Sequence, residues 1–443
     1  MVILGLGSNL GDRLQHLRQA LTLLKKTPNF SVKKVSPVYI SDALLPENAE
    51  ESWNIPYLNL ALRCETTLTP HELLTHTKNI ELQFGRKTEK RWSPRPIDID
   101  ILAWDNEILY DEKLHIPHEQ LHLRPFALWP LADVAPEWIY PLQNTCQGKT
   151  AAEIAALWGS RFSGEAPLHT RQIPHRIDTP QLVGILNLTP DSFSKDGIYC
   201  NEHHALEHAK LCIASGAEVI DIGAEATNPN AKPVDKKEEW QRLLPTLKFI
   251  LENRKHFLLP PKISVDTRHV AIAKQCLDLG IDWINDVSGL DDPAMRELIA
   301  ATNCDLILMH HRGIPVDIHH MLPPHENPVT QVYNWAEKRL ALLEKQGIAK
   351  QRIIFDVGIG FGKNPEHSLA LIQNIATFKS LGTRLLVGHS RKRFLSLFTD
   401  KSFVERDTET QAISSFLATQ AVDFLRLHNI ELCARTFKVE KTI

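Results

Sequence analysis

From Leu182 onward the chain repeats one event: an apolar run stops on a polar residue at a turn. The runs are VGILN, EVIDIG, KISVD, WINDV, DLILMH, IIFDVG, RLLVGHS and FLRLH. Helical periodicity follows, as at Arg268 to Leu279, where Val270, Ile272, Ala273, Cys276 and Leu277 share a face, and at Pro328 to Gln346. Runs apolar throughout are strands buried on both faces, and their alternation with helices predicts a (β/α)8 TIM barrel. Barrel active sites lie at the C-terminal ends of the strands. Those ends carry Asn187, Asp221, Asp266, Asn285, His310, Asp356, Ser390 and Arg426 with His428.

Upstream of Leu182 the pattern differs. Val2 to Leu6 reads as a strand, and GSNLGD turns it into a helix with Leu14, Leu17, Leu21 and Leu24 on one face. Strands follow at Ser31 to Ile40 and Tyr57 to Cys64. Thr69, Pro70 and Glu72 form a capping box ahead of a helix carrying Leu73, Ile80 and Phe84, and Ile97 to Ala103 alternates as a last strand. Strand, helix, strand, strand, helix, strand is the order of a ferredoxin-like α/β sandwich. A closing helix is expected at Lys149 to Trp158. Gly159 to Pro180 then loses periodicity and gathers Gly, Pro, Arg and His, which marks a linker. The expected division is residues 1–160, a linker at 161–180, and a barrel at 181–443.

Two glycine-rich stretches invite a nucleotide reading and fail it. GLGSNLG has Leu10 where a dinucleotide fingerprint needs its third glycine, and VGIGFGK at 357–363 misses both that spacing and the Walker spacing. The second is expected to be a flexible loop. A chain of 443 residues with 43% hydrophobic and 23% charged residues can bury a sizeable core, and a net charge of -3 points to neither nucleic acid nor membrane. The 7 cysteines are scattered, with no CxxC, as in a reducing compartment. MVILGLGSNLGD lacks the basic start of a signal peptide, and no apolar run is long enough to span a bilayer, so the cytoplasm is expected.

Chemistry in the first half concentrates in RWSPRPIDIDILAW. Residues two apart on a strand face the same way, so Asp98 and Asp100 present two carboxylates while Ile97, Ile99 and Ile101 fill the core. Two hard oxygen donors behind Arg91 and Arg95 suit magnesium bridging a polyphosphate. The plainer alternative is an amphipathic strand with a solvated acidic face. Arg-Trp-Ser-Pro-Arg favours the functional reading, because guanidinium forks match phosphate oxygens and Trp offers a stacking face.

GLGSNLGDR, PYLN, IELQFGR, RWSPRPIDID and IPHEQLHLRPFALWPL together resemble the 6-hydroxymethyl-7,8-dihydropterin pyrophosphokinases, over roughly residues 1 to 160. The resemblance implies that Asp98 and Asp100 hold the two magnesium ions of MgATP, and that Arg86, Arg91, Arg95, His118 and Arg124 handle phosphates. It puts Glu81, Trp92 and Ile101 at the nucleotide, and Tyr57, Asn59 and Phe126 at the pterin. Arg86, Arg95, Asp98 and Asp100 are its candidate catalytic residues. This chain departs from that family in the loop KTEK and in Ile40 to Asn54.

In the second half, the acids and amides of the rim suit a nitrogen-rich heterocycle. A basic side made by Arg391, Lys392, Arg426 and His428 suits an anion. GILNLTPDSFS, EVIDIGAEATNP, ISVDTR, INDVSG, FDVGIGFGK, LLVGHSRK and LRLH resemble the dihydropteroate synthases. By that resemblance Asp266, Asn285, Asp356 and Lys392 hold pterin. Asn187, Arg426 and His428 meet pyrophosphate and one magnesium ion, and Phe193, Thr227, Pro229 and Phe361 surround p-aminobenzoate, with Ser390 beside them. Asn187, Lys392, Arg426 and His428 are the candidate catalytic residues.

Asn228 stands where that family has arginine, a loss of charge assistance worth on the order of 1 to 3 kcal/mol unless Lys232 substitutes. Arg393 could hold the aminobenzoate carboxylate. The chain is therefore expected to be a bifunctional folate-biosynthesis enzyme, with a homodimer through the barrel possible. One alternative, motivated by Asn228, is an active kinase fused to a pterin-binding barrel of weak turnover. Another is a pterin-dependent methyltransferase barrel, against which the SRK and RxH motifs argue.

Overall fold

The computed structural model describes residues 1–85, 92–188, 202–226, 233–317 and 319–442. They form two compact units, Met1–Asp178 and Thr179–Lys441. The first runs β1 (Val2–Ser8), α1 (Arg13–Leu24), β2 (Phe30–Val35), β3 (Tyr39–Ser41), β4 (Tyr57–Thr66), α2 (Pro70–Gln83) and β5 (Asp98–Trp104). A small hairpin of β6 (Leu109–Tyr110) and β7 (His115–Ile116) follows, then α3 (Pro125–Val134), α4 (Ala151–Ala156) and β8 (Arg171–Gln172). The sheet order is β5-β1-β4-β3-β8, with β2 also on β4. Its central part is the expected ferredoxin-like arrangement.

The strand expected over Ser31 to Ile40 is two strands, because Pro37 has no N–H for a ladder. Ser36 repairs the gap: its hydroxyl accepts the Ala61 N–H at 2.9 Å. Thr69 and Glu72 close the expected capping box at the start of α2. On β5 the alternation holds as far as Ile101. There the pairing with β1 shifts, Ile3 facing Ala103 but Leu4 facing Ile101, so the extra residue Leu102 turns into the core.

The segment read as a linker belongs largely to this unit. Tyr39 and Ile40 of β3 pair with Gln172 and Arg171 of β8. Arg161 forms an ion pair with Asp133, whose carboxylate also accepts the Tyr39 hydroxyl at 2.5 Å. Arg176 donates to the Val35 carbonyl at 2.6 Å. Backbone pairing and ion pairs leave no hydrophobic period behind them, which is why the sequence shows only a loss of pattern.

The second unit contains all eight expected strands, β9 (Gln181–Asn187), β10 (Ala217–Gly223), β11 (Lys262–Asp266), β12 (Trp283–Asp286), β13 (Asp305–Met309), β14 (Ile353–Asp356), β15 (Arg384–Val387) and β16 (Phe424–Leu427). They close into a parallel barrel in which β16 pairs with β9. Helices α5 (Glu202–Ala214), α6 (Lys236–Asn253), α7 (Val270–Asp278), α8 (Pro293–Ala300), α9 (Pro328–Lys345), α10 (Pro365–Gln373), α11 (Asp407–Thr419) and α12 (Ile430–Glu440) follow the strands. Val183, Val219, Trp283, Ile307, Ile354, Leu386 and Phe424 fill the barrel as one apolar layer. Trp283 meets Phe424 edge to face at 5.1 Å, and burying each such ring contributes roughly 1.5–3 kcal/mol. Because side chains repeat every second residue on one strand face, the next inward positions above this plug are Asp221, Asn285, Asp356 and Arg426. The plug is thus the floor of a polar pocket.

The glycine-rich loop at 357–363 is held tightly, contrary to its reading as flexible. Gly358 has φ +69, and a Cβ there would lie 1.9 Å from the His310 carbonyl oxygen. A Cβ on Gly362 would lie 2.3 Å from that of Arg312. The loop needs glycine for close packing, a requirement that looks like freedom in a sequence.

Candidate functional sites

In the first unit one cavity of about 850 Å³ is lined by Tyr57, Asn59, Trp92, Arg95, Asp98, Asp100, Ile101, His118, Arg124 and Phe126. Asp98 and Asp100 lie opposite Gly7 and Gly5 of β1, where the Leu102 side chain packs against Gly5 and the Asn59 and Tyr57 side chains against Gly7. Arg95 Nη1 approaches Asp98 at 3.3 Å. Asn59 donates to the Ser41 hydroxyl at 2.9 Å, and Arg124 donates to Gln120 at 2.9 Å. Burial, and then the charge of Arg124, bring His118 down to about 4. It is therefore a neutral imidazole at pH 7, a hydrogen-bonding group rather than a cation.

Glu81 corrects its expected place at the nucleotide. It is 1% exposed, accepting the Ile99 N–H at 2.8 Å and Lys78 at 2.8 Å, so it fixes β5 from behind. Burial raises its carboxyl, opposed by Lys78. Sequence reasoning missed Ser41, Asp42, Leu44 and Leu45, which line the cavity from the segment that departs from the family pattern. A polar pair at a strand's end was the available signal. Arg86, Arg91 and the KTEK loop lie outside the described residues.

No group of three metal-ligating side chains occurs among the described residues. A pair of carboxylates still suits magnesium, which keeps several waters and takes substrate phosphate oxygens for the rest of its shell. Asp98 and Asp100 fit that role.

The barrel site is built differently. Asp266 ends β11 beside Asn285 of β12, and Asp221, level with Ser264 two residues before Asp266, is fully buried. Asp221 Oδ2 accepts from Arg426 Nε at 2.6 Å and from Asn285 Nδ2 at 3.0 Å. Arg426 Nη2 reaches Asp266 Oδ2 at 3.4 Å. Burial, with the charge of Asp221 added and Arg426 opposing, pushes the Asp266 carboxyl up to about 8. Asp356 accepts the Gly358 N–H at 2.8 Å, and burial raises its carboxyl against the pull of Lys392. Lys392 donates to the Ile359 carbonyl at 2.7 Å and lies 4.9 Å from the centre of the Phe361 ring. Burial brings its ammonium down to about 8, opposed chiefly by Asp356.

Other expected members behave otherwise. Arg391 turns away from the basic side into a two-pronged pair with Asp407, at 2.7 and 3.0 Å. Burial and the neighbouring arginines bring His428 down to about 3, so it too is neutral. Ser390 Oγ accepts the His428 N–H at 3.3 Å and lies 3.0 Å from its Nδ1, so one hydroxyl contacts both the backbone and the ring of His428. His310 is buried against Lys363, whose Nζ lies 2.7 Å from its Nδ1, and supports the loop rather than the rim. Lys363 was not singled out, since a lysine after glycine reads as a surface residue. Asn187 ends β9, and Arg393 is exposed. Phe193, Thr227, Asn228, Pro229 and Lys232 lie outside the described residues.

Comparison with known proteins gives these two sites their class. Residues 3–136 match the family model of 7,8-dihydro-6-hydroxymethylpterin-pyrophosphokinase, and residues 183–428 match that of pterin binding enzymes. The chain thus joins a pterin pyrophosphokinase to a pterin-binding barrel. Over 438 residues it is 37% identical to the folate synthesis bifunctional protein of Chlamydia muridarum, covering 97% of this chain and 95% of that protein. A folate synthesis bifunctional protein of Arabidopsis thaliana is 32% identical over 468 residues, with 97% and 93% covered.

Among solved structures, dihydropteroate synthase from Anaplasma phagocytophilum with bound 6-hydroxymethylpterin-monophosphate is 39% identical. It covers 59% of this chain and 98% of its own, with a TM-score of 0.54. The Yersinia pestis enzyme in a sulfonamide complex is 31% identical, covering 60% and 94%, with a TM-score of 0.55. The chain belongs to the folate synthesis bifunctional proteins. It pyrophosphorylates 6-hydroxymethyl-7,8-dihydropterin from ATP, then condenses the product with p-aminobenzoate to 7,8-dihydropteroate, releasing pyrophosphate.

Proposed function

We propose a division of labour among this chain's residues for the two reactions. In the first unit Asp98 and Asp100 hold two magnesium ions, which when bound neutralise the triphosphate of ATP. Tyr57, Asn59 and Phe126 hold the pterin, while Arg95 and Arg124, with Arg86 and Arg91, hold the phosphates. The hydroxymethyl oxygen attacks the β-phosphorus and gives up its proton to solvent, the bond from the β-phosphorus to the bridging oxygen breaks, and AMP leaves with that oxygen. Negative charge builds on that oxygen, where positioned guanidinium groups stabilise it. Neutral His118 assists by donating a hydrogen bond.

In the barrel Asp266, Asn285, Asp356 and Lys392 hold the pterin ring, and Arg426, His428 and Asn187 receive the diphosphate. Asn187 offers one amide oxygen to a magnesium ion, enough only if the diphosphate supplies further ligands. The bond from methylene carbon to diphosphate oxygen breaks, and its electron pair leaves with the diphosphate. The amine nitrogen of p-aminobenzoate bonds to that carbon and releases a proton. Phe361, with Phe193, Thr227 and Pro229, packs the aminobenzoate ring, while Ser390 orients His428 and Arg393 meets the carboxylate.

The observation that carries this reading is the assembly of Asp266, Asn285, Asp356, Lys392 and Arg426 on one rim above an apolar plug. Purified protein given ATP, hydroxymethyldihydropterin and p-aminobenzoate should yield dihydropteroate, and Asp266→Asn should raise the KM for the pterin diphosphate at least tenfold. Accumulation of pterin diphosphate without condensation would return the weak-barrel alternative.

Pyrophosphokinase and synthase activities are assigned to 1–160 and 181–443, with 161–178 packed into the first unit. Two copies pair through the barrel at Leu397, Phe398, Phe403 and Phe416, large apolar side chains that are exposed. Light scattering that returns a monomer mass would reject this. The six described cysteines are buried and form no disulfide with one another, which suits the cytoplasm, and no described helix is long and apolar enough to cross a membrane.

A further inference from the structure

Asp221 has no role in the reading above, yet it touches two of the residues that do. It belongs to the middle of β10, two positions below Gly223, which pairs with Asp266. Its Oδ2 is shared by Arg426 Nε and Asn285 Nδ2, from two other strands, while its Oδ1 is buried without a partner among the described residues. A buried carboxylate with one oxygen uncompensated holds a neighbouring guanidinium strongly, because losing that cation would strand a charge away from water.

Arg426 is also shared. Its Nε is committed to Asp221, one Nη2 proton reaches Asp266 at 3.4 Å, and Nη1 makes no hydrogen bond among the described residues. Asp266 keeps 18% of its side chain exposed, as does Arg426, whereas Asp221 keeps none. The outer pair faces the pocket and the inner pair does not. A ring that donates hydrogen bonds to Asp266 must therefore compete with Arg426 for its oxygen, but leaves the Asp221 anchor alone.

We propose that Asp221 is a positioning residue of the condensation. It keeps Arg426 and Asn285 in place while a pterin ring arriving at Asp266 releases the outer arm of Arg426 to the diphosphate. Ring recognition and anion binding are thereby coupled through one guanidinium, so the diphosphate is gripped best when the right ring carries it. The proposal rests on assigning the ring to Asp266 and the diphosphate to Arg426.

Coupling is measured on the full-length chain with magnesium present, by titrating inorganic pyrophosphate with and without saturating 6-hydroxymethylpterin. Wild type should bind pyrophosphate on the order of tenfold more tightly when the pterin is present. In Asp221→Asn, which keeps the shape and removes the charge, the gain should fall to twofold or less. The affinity for 6-hydroxymethylpterin should also fall at least fivefold, because Arg426 then leans wholly on Asp266. Arg426→Lys, with one charged head and no fork, should lose the coupling too, and keeps the test open should Asp221→Asn fail to fold.

A merely structural Asp221 would lower both affinities together and leave their ratio unchanged. No coupling in wild type, full coupling in Asp221→Asn, or coupling that survives in Asp266→Asn would each overturn the proposal. Failure of the underlying assignment looks different: Asp266→Asn would then leave the KM of condensation unaltered.

Discussion

The two sites face closely related pterins with opposite economies of charge. In the first unit Asp98 is 24% exposed and lines the cavity with Arg95 3.3 Å away, so part of its carboxylate faces ligands that arrive with the substrate. In the barrel Asp221, Asp266, Arg426, Asn285, Asp356 and Lys392 largely satisfy one another or the nearby backbone, on top of an apolar plug. A site that carries a polyanion with metal needs carboxylates that reach the cavity. A site that must hold a ring while losing an anion needs cations already in place and already balanced.

The comparison breaks most visibly in the first unit. Asp98→Ala should lower ATP-dependent pyrophosphoryl transfer by roughly 10³-fold, since Asp100 alone then remains of the carboxylate pair on β5. Condensation from supplied pterin diphosphate should continue at the wild-type rate. Substantial transfer retained by the variant at saturating magnesium would remove the metal assignment. Lys392→Ala comes next, lowering kcat/KM of condensation about 10²-fold, the loss of one preorganised charged donor. An unchanged value would sever Lys392 from the reaction.

The pH profiles should separate the two halves without any mutation. Asp266 becomes a carboxylate only as pH rises through about 8, and Lys392 loses its charge as pH rises through about 8. The form with both ionised is most populated near that pH, so kcat/KM for condensation should describe a narrow bell centred close to 8. His118, brought down to about 4, is neutral throughout the range 6 to 8, so it adds no slope to the kinase reaction there. A flat synthase profile between 6 and 9 would mean that these two groups do not titrate in the free enzyme.

Much of this was legible in the chain, and the boundary of legibility has a physical cause. The eight barrel strands could be read because each is buried on both faces and ends at a turn, so hydrophobicity alone delimits them. The rim residues followed from strand direction, and Asp98 with Asp100 from a period of two. What escaped depends on which partner a polar side chain selects in three dimensions. Arg391 takes Asp407, Glu81 takes the Ile99 backbone, and Asp221 sinks beneath Asp266 although both stand on strands that read alike. The glycine loop misled for a related reason: glycine permits motion and close packing equally, and only Arg312 and His310 decide between them.

The smallest expected effect tests the segment that sequence reasoning could not place. Ser41 ends β3, its hydroxyl accepts from Asn59 Nδ2 at 2.9 Å, and both residues line the first cavity. Asn59 is 7% exposed, so its orientation is set by the few partners it has. Removing the Ser41 hydroxyl leaves one amide donor without that acceptor and frees the amide to rotate. A neutral hydrogen bond is worth about 0.5–1.5 kcal/mol, which corresponds to roughly 2- to 12-fold. In Ser41→Ala the KM for hydroxymethyldihydropterin should rise by about that factor while kcat and the KM for ATP hold. A fall in kcat at constant KM would instead tie Ser41 to phosphoryl transfer, and the first site would then use its pterin wall for chemistry, as the barrel does.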